Sequence, residues 1–179
     1  CMSDIDVGKC KVQPHPTVVQ NFEVEKYMGT WYEQFRDSSA PFEKGECNRA
    51  EYSLNTDKSV KVINSELLEG KSERKTVEGK ATCPETDAKC KVKFGKSFFS
   101  RFSEGNYWVY ETDYNNYAIV YSCNEFLYGL FHVEFVWVLT REQQPAAEVT
   151  EKFNQAIDKL GYPREFIRRQ SVQGGDCLY

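Results

Sequence analysis

The sequence predicts an all-β protein, an eight-stranded up-and-down antiparallel barrel with one C-terminal α-helix packed outside its wall. Three observations carry that prediction. About eight short stretches alternate apolar and polar residues and are joined by brief turns rich in Asn, Asp, Gly and Ser, the pattern of strands linked as hairpins. Only near the end, over residues 142–161, does the apolar spacing change to three and four, placing Val149, Phe153, Ala156, Ile157 and Leu160 on one face. Finally, Gly29 lies two residues before Trp31, so a sharp turn delivers an indole to the start of a strand, where it can plug one end of a closed sheet.

Taken in order, residues 1–20 hold Pro14 and Pro16 and no periodicity, and read as an extended arm. Phe22, Val24, Tyr27 and Met28 make an apolar-spaced turn that Gly29 stops. A strand over 31–36 runs into Asp37, Ser38, Ser39, Ala40 and Pro41, a loop at the open end. Strands over 50–54 and 59–67 form a hairpin about Asn55, Thr56, Asp57 and Lys58, and a turn at 69–72 leads to a strand over 73–82. Further strands are expected over 91–94, 106–111, 117–123 and 131–140, with Asp113, Tyr114, Asn115 and Asn116 turning between two of them. The helix over 142–161 has Pro145 at its start and Gly161 at its end, and must lie outside because a barrel of this size has no room for it within. The tail, 162–179, returns with a short apolar strand. Residues 1–179 read as a single domain.

Charge and cysteine narrow the function. The 23 Lys and Arg against 27 Asp and Glu give a net charge of −4 without a long run of either sign, which argues against a nucleic-acid partner. No apolar run approaches the roughly 18 residues of a membrane span, and the first twenty residues lack a signal peptide's apolar core, so the chain reads as processed and soluble. Seven cysteines are scattered from end to end without a CxxC pair, and the two histidines are His15 and His132, a poor set for a metal. Such scattered cysteines read as staples formed in an oxidising compartment, which predicts a secreted, extracellular protein. Cys83 and Cys90 bracket a loop whose ends lie close and are expected to bridge locally; spacing leaves the other pairings open.

Gly29-Thr30-Trp31, then Thr112-Asp113-Tyr114, then Arg141 directly after Phe135-Val136-Trp137-Val138-Leu139-Thr140 resemble the three signature motifs of the lipocalins in order and spacing. The resemblance runs from Cys10 to Cys177. Glu46-Cys47, Ala50-Glu51-Tyr52, the segment 117–123, His132 and the closing 172–177 are most similar to the group that contains insect bilin-binding proteins, insecticyanin, apolipoprotein D and the carotenoid-binding crustacyanin subunits. It implies bridges Cys10 to Cys123 and Cys47 to Cys177, leaving Cys1 over. It also implies that Trp31 and Arg141 are a structural pair, with the guanidinium across the indole at the closed end.

If Cys123 faces out to meet Cys10, strand alternation turns Ala118, Val120, Ser122 and Asn124 inward. The resemblance places Val133, Phe135 and Trp137 inside, and the same logic adds Tyr107, Val109, Val60, Val62, Asn64 and Glu66. Ser39 and Phe42 fall in the loop that the resemblance makes the mouth. His132 matches a histidine of bilin-binding relatives, where a neutral imidazole can bond a pyrrole or propionate. Each of these side chains could instead simply fill a small barrel; the resemblance decides for a cavity. No inward position on this reading is a cysteine and no Ser-His-Asp set is available, so no catalytic residue is assigned and a thiolate lipid isomerase is the least favoured reading. The expectation is a secreted carrier of a hydrophobic small molecule, with biliverdin or a similar bilin first on the strength of His132 and Asn64. A carotenoid such as astaxanthin follows, then a fatty acid or steroid. A third reading is a homo- or hetero-oligomer assembled through exposed aromatics, Phe98, Phe99, Phe102 and the run Phe126-Leu127-Tyr128-Gly129-Leu130-Phe131.

Overall fold

The computed structural model describes residues 5–37, 45–68, 70, 72–95, 104–167, 169–175, 177 and 179. The strands are β1 (Asp6–Val7), β2 (Gly29–Arg36), β3 (Glu46–Leu54), β4 (Val60–Leu67), β5 (Arg74–Thr82), β6 (Lys89–Phe94), β7 (Gly105–Thr112), β8 (Tyr117–Phe126), β9 (Phe131–Thr140) and β10 (Arg169–Gln170). Each of β2 to β9 pairs with its chain neighbour, and β9 returns to pair with β2, so eight antiparallel strands close into a barrel. Two short strands are added outside: β1 along β9 and β10 along β2. A turn of helix, α1 (Val24–Tyr27), precedes β2, and α2 (Ala147–Leu160) follows β9.

Differences from the expected elements are local. Helix α2 begins at Ala147, not at 142, because Pro145 has no backbone donor and disfavours helical geometry at the residue before it. Residues 142 and 143 instead tie their carbonyls to the wall: Thr140 Oγ1 donates to Glu142 O (2.6 Å) and Gln34 Nε2 to Gln143 O (2.8 Å). The expected apolar strand of the tail is the two-residue β10, Arg169 and Gln170, which pairs with Arg36 and Phe35.

Strand β8 shows how the layers are divided. Ala118, Val120 and Ser122 face the lumen, while Ile119 and Tyr121 join Val136 and Val138 of β9 in a second core against Phe153, Ala156, Ile157 and Leu160 of α2. Burying such side chains is worth roughly 1.5–3 kcal/mol each, so α2 is held by its apolar stripe, and Gly161, at φ 75°, ends it in the left-handed conformation. Three disulfides staple the margins. Cys10 to Cys123 fixes the arm to β8, Cys47 to Cys177 fixes the tail to β3, and Cys83 to Cys90 closes the loop between β5 and β6.

One seam is closed by side chains. β2 and β3 pair only from Gly29 with Tyr52 to Tyr32 with Arg49, and then diverge. A bulge at Gln34 turns Phe35 outward to Phe153 (ring centroids 5.9 Å apart) and sends Arg36 inward. The Arg36 guanidinium, 1% exposed, then bridges the gap, donating to Glu33 Oε2 (2.7 Å), Asn48 Oδ1 (3.2 Å) and Gly45 O (3.1 Å). The tail completes the plug: Ser171 Oγ donates to Glu33, and Gln173 Nε2 donates to the carbonyls of Glu33 and Asn48, both at 2.8 Å.

Candidate ligand cavity

The closed end is built from the three sequence motifs. Gly29 takes φ 101°, and a Cβ there would lie 3.1 Å from Arg141 Nη1, so glycine is needed for both the turn and the approach. Trp31 is fully buried, and its Nε1 donates to Tyr27 O (2.9 Å). The Arg141 guanidinium lies 3.8 Å from the indole centroid. Its remaining donors reach three carbonyls, Tyr114 O, Thr30 O and Lys26 O, each at 3.0 Å. The Tyr114 carbonyl is presented by a turn in which Asp113 Oδ1 accepts from the amides of Asn116 (2.8 Å) and Tyr117 (3.0 Å). Above this floor Tyr107 hydrogen-bonds through its hydroxyl to those of Tyr27 (2.8 Å) and Tyr52 (3.0 Å). Burial pushes the phenols of Tyr27 and Tyr107 well above 10.0, so both are neutral at physiological pH.

Over the tyrosines opens a cavity of about 450 Å³. Its wall is mostly apolar and aromatic: Val60, Val62, Ala81, Val92, Phe94, Val120, Phe135, Trp137 and Leu139, with Phe22 and Met28 lower down. Polar side chains border it too: Asn64, Ser65 and Glu66 from β4, Asn48 and Arg49 from β3, Lys75 from β5, Asn106 from β7, Ser122 and Asn124 from β8, and Glu33 from the seam. Glu66 is engaged, accepting from Gly45 N (2.8 Å) with Lys75 Nζ 3.6 Å away. Asn64 is not: its Oδ1 is buried without a hydrogen-bond partner among the described residues, as is Nε of Arg49, which also borders the cavity. A lone buried acceptor of this kind is costly unless something fills it. The site can therefore enclose a flat or elongated apolar molecule and offer it the unmet acceptor of Asn64.

The profile of the Lipocalin / cytosolic fatty-acid binding protein family matches residues 28–173. The chain belongs to the lipocalin family. Apolipoprotein D of Bos taurus is 44% identical over 135 residues, covering 75% of this chain and 67% of that protein. The Lazarillo protein of Schistocerca americana is 34% identical over 148 residues, 80% and 67% of the two chains. Among solved structures, insecticyanin from the tobacco hornworm Manduca sexta superposes with a TM-score of 0.78 at 23% identity, covering 99% of this chain and 93% of that one. Apocrustacyanin C1 gives 0.74 at 23% identity, with 99% and 95% covered.

Of the residues expected to meet a ligand in this lipocalin, Val60, Val62, Asn64, Glu66, Tyr107, Val120, Ser122, Asn124, Phe135 and Trp137 border the cavity. Val109 and Ala118 point inward but are fully buried core beside it, and Val133 has the inward parity without bordering it. Ser39 and Phe42 lie outside the described residues, as do Cys1, Phe98, Phe99 and Phe102. His132 is a correction. It neighbours Val133 on β9, so alternation turns it to the opposite face, where the arm covers it. Its Nδ1 donates to Gly8 O (2.9 Å), and Nε2 faces Lys11 Nζ at 3.4 Å. None of the inward positions read from the sequence is a cysteine, but Cys83 and Cys90, outside that set, border the cavity, joined to each other. That face was legible, since Cys90, Val92 and Phe94 alternate with Lys89, Lys91 and Lys93 along β6. Of the lining residues not expected, Tyr27 sits on a helical turn, whereas Glu33 follows Trp31 by one alternation, ahead of the bulge, and Tyr52 lies within the strand expected over 50–54, so both were legible.

Proposed function

We propose that this lipocalin is a secreted, non-enzymatic carrier of an apolar small molecule that bears at least one N–H or O–H donor, with a bilin as the first candidate. The observation that carries the reading is the buried Oδ1 of Asn64, unpartnered among the described residues, in a cavity walled mostly by apolar and aromatic side chains. A pyrrole N–H supplies the missing donor, whereas a hydrocarbon chain does not. With His132 turned outward, Asn64 is the remaining support for a bilin over a hydrocarbon chain; the hydroxyls of astaxanthin could also meet it. Burial alone supplies the drive: some 300 Å² of apolar ligand surface at about 25 cal/mol/Å² gives roughly 7 kcal/mol before ordering costs. The bridged Cys83 and Cys90 offer no thiolate to an isomerase, and three disulfides support an extracellular setting.

The test is titration of the purified protein with biliverdin, with astaxanthin and oleate as comparators. Saturable binding of one biliverdin per chain, with a shifted visible band and displacement of whatever copurifies, is the expected result. An unchanged biliverdin spectrum together with saturable oleate binding would keep the carrier and remove the bilin. No binding by any of the three would remove both.

A further inference from the structure

We infer that the outer face of the β5–β6 hairpin is a binding site for a linear sulfated polysaccharide, separate from the cavity. On β6, Lys89, Lys91 and Lys93 occupy the outward positions, because Cys90, Val92 and Phe94 take the inward ones. On β5, Lys80 and Thr82 face the same way. Register sets Lys80 directly opposite Lys93, and Thr82 opposite Lys91. The four lysines, Thr82 and Glu104 share the lining of one concave surface with Pro84 and Cys83.

This is an unfavourable arrangement in an isolated fold. Like charges directly opposite each other on a sheet repel, and here they meet in a chain whose net charge is −4. Counter-charges cover only part of it. Asp57 takes Lys80 (2.7 Å), and that contact holds the Asp57 carboxyl well below its usual range. Glu104 lies 3.7 Å from Lys91. Lys89 rests its ammonium 5.0 Å from the Trp108 ring centroid, and Lys93 has no ion-pair partner among the described residues. An excess of positive charge therefore remains in a groove stiffened by the Cys83 to Cys90 bridge at its end.

The occupant follows from shape and spacing. Alternate residues of a strand stand about 7 Å apart and adjacent strands about 5 Å apart, so the ammonium groups form a small grid suited to an anion that repeats along a chain. Among the described residues the groove is lined by lysines, Thr82, Glu104, Pro84 and Cys83, and the ring beside it, Trp108, is already taken by Lys89 and His15, so the surface favours a charged chain over a bilayer or a stacked nucleic-acid base. Sulfate groups on a polysaccharide meet the requirement and belong to the oxidising exterior that the disulfides imply.

The test measures binding of a heparin-derived oligosaccharide to the full chain in low and in physiological salt. Compared are the groove double variant, Lys89→Gln with Lys93→Gln, and a double variant of equal charge on α2, Lys152→Gln with Lys159→Gln. The expected result is salt-sensitive binding that falls about tenfold or more in the groove variant, stays within about twofold in the helix variant, and vanishes for the desulfated oligosaccharide. Binding of biliverdin and of oleate and far-UV circular dichroism should match the parent in both variants. Equal losses in the two variants, or binding that survives desulfation, would overturn the site. Lysine-dependent binding to phosphatidylserine vesicles at the same salt, without binding of the oligosaccharide, would overturn the polysaccharide.

Discussion

Replacing Arg36 by methionine should be among the most damaging single changes in the wall, and replacing its partner as well should undo much of the damage. Arg36 and Glu33 are 1% and 3% exposed, and their contact is 2.7 Å. Arg36→Met leaves the Glu33 carboxylate buried with the Ser171 hydroxyl as its one hydrogen-bond donor among the described residues. Stranding a buried charge in this way costs about 3–5 kcal/mol. Glu33→Leu takes away the carboxylate 2.7 Å from the buried guanidinium and should cost a similar amount. The double variant removes both charges and replaces them with apolar groups of comparable volume, so it should lie within about 1–2 kcal/mol of the parent. Urea unfolding of the oxidised protein reads this directly. At a slope of roughly 2 kcal/mol/M, each single change lowers the midpoint by about 1.5–2.5 M, and the double change lowers it by less than about 1 M. Single-variant shifts below about 0.5 M, or a double variant that sums the two singles, would refute the view that the seam depends on charge pairing inside the wall.

At the floor, Arg141→Lys keeps the charge but loses the planar fork that reaches three carbonyls while lying on Trp31; a loss of about 1–2 kcal/mol, or a melting temperature lower by roughly 3–8 °C, is expected by calorimetry. In the cavity, Asn64→Leu should weaken biliverdin about tenfold in a fluorescence-quenching titration while leaving oleate unchanged or tighter, because only the bilin offers a donor to Oδ1; equal effects on both ligands would remove Asn64 from recognition. Alkali should unfold the protein through its buried phenols. The fold raises the pKa of Tyr27 and Tyr107 well above 10.0, so the unfolded chain loses these protons first. Their contribution is complete below about pH 10 and falls above it by up to about 1.4 kcal/mol per pH unit for each. Urea midpoints that stay constant between about pH 9 and pH 11 would contradict this.

Much of the barrel was legible in the residues themselves. The alternation of β4, β8 and β9 is a local property of side chains on a pleated strand, and the helix announces itself by its change of period and its Gly161 stop. The loop bridge between Cys83 and Cys90 also needed only short range. The cavity list erred where direction depended on something else. His132 carried a chemical attraction to a ligand, yet its place next to Val133 already sent it outward, and the arm that buries it comes from more than a hundred residues away.

The sequence alone thus settled which segments are strands, which is helix, and where one end of the barrel shuts, because those follow from periodicity and from a few residues with special backbone or ring chemistry. Whether the interior is hollow, that a bulge at Gln34 swings Arg36 into the wall, and that Asn64 is left with an empty acceptor were decided only when distant strands came together. Volume, register and hydrogen-bond satisfaction are properties of the whole packing, and no single stretch of chain contains them.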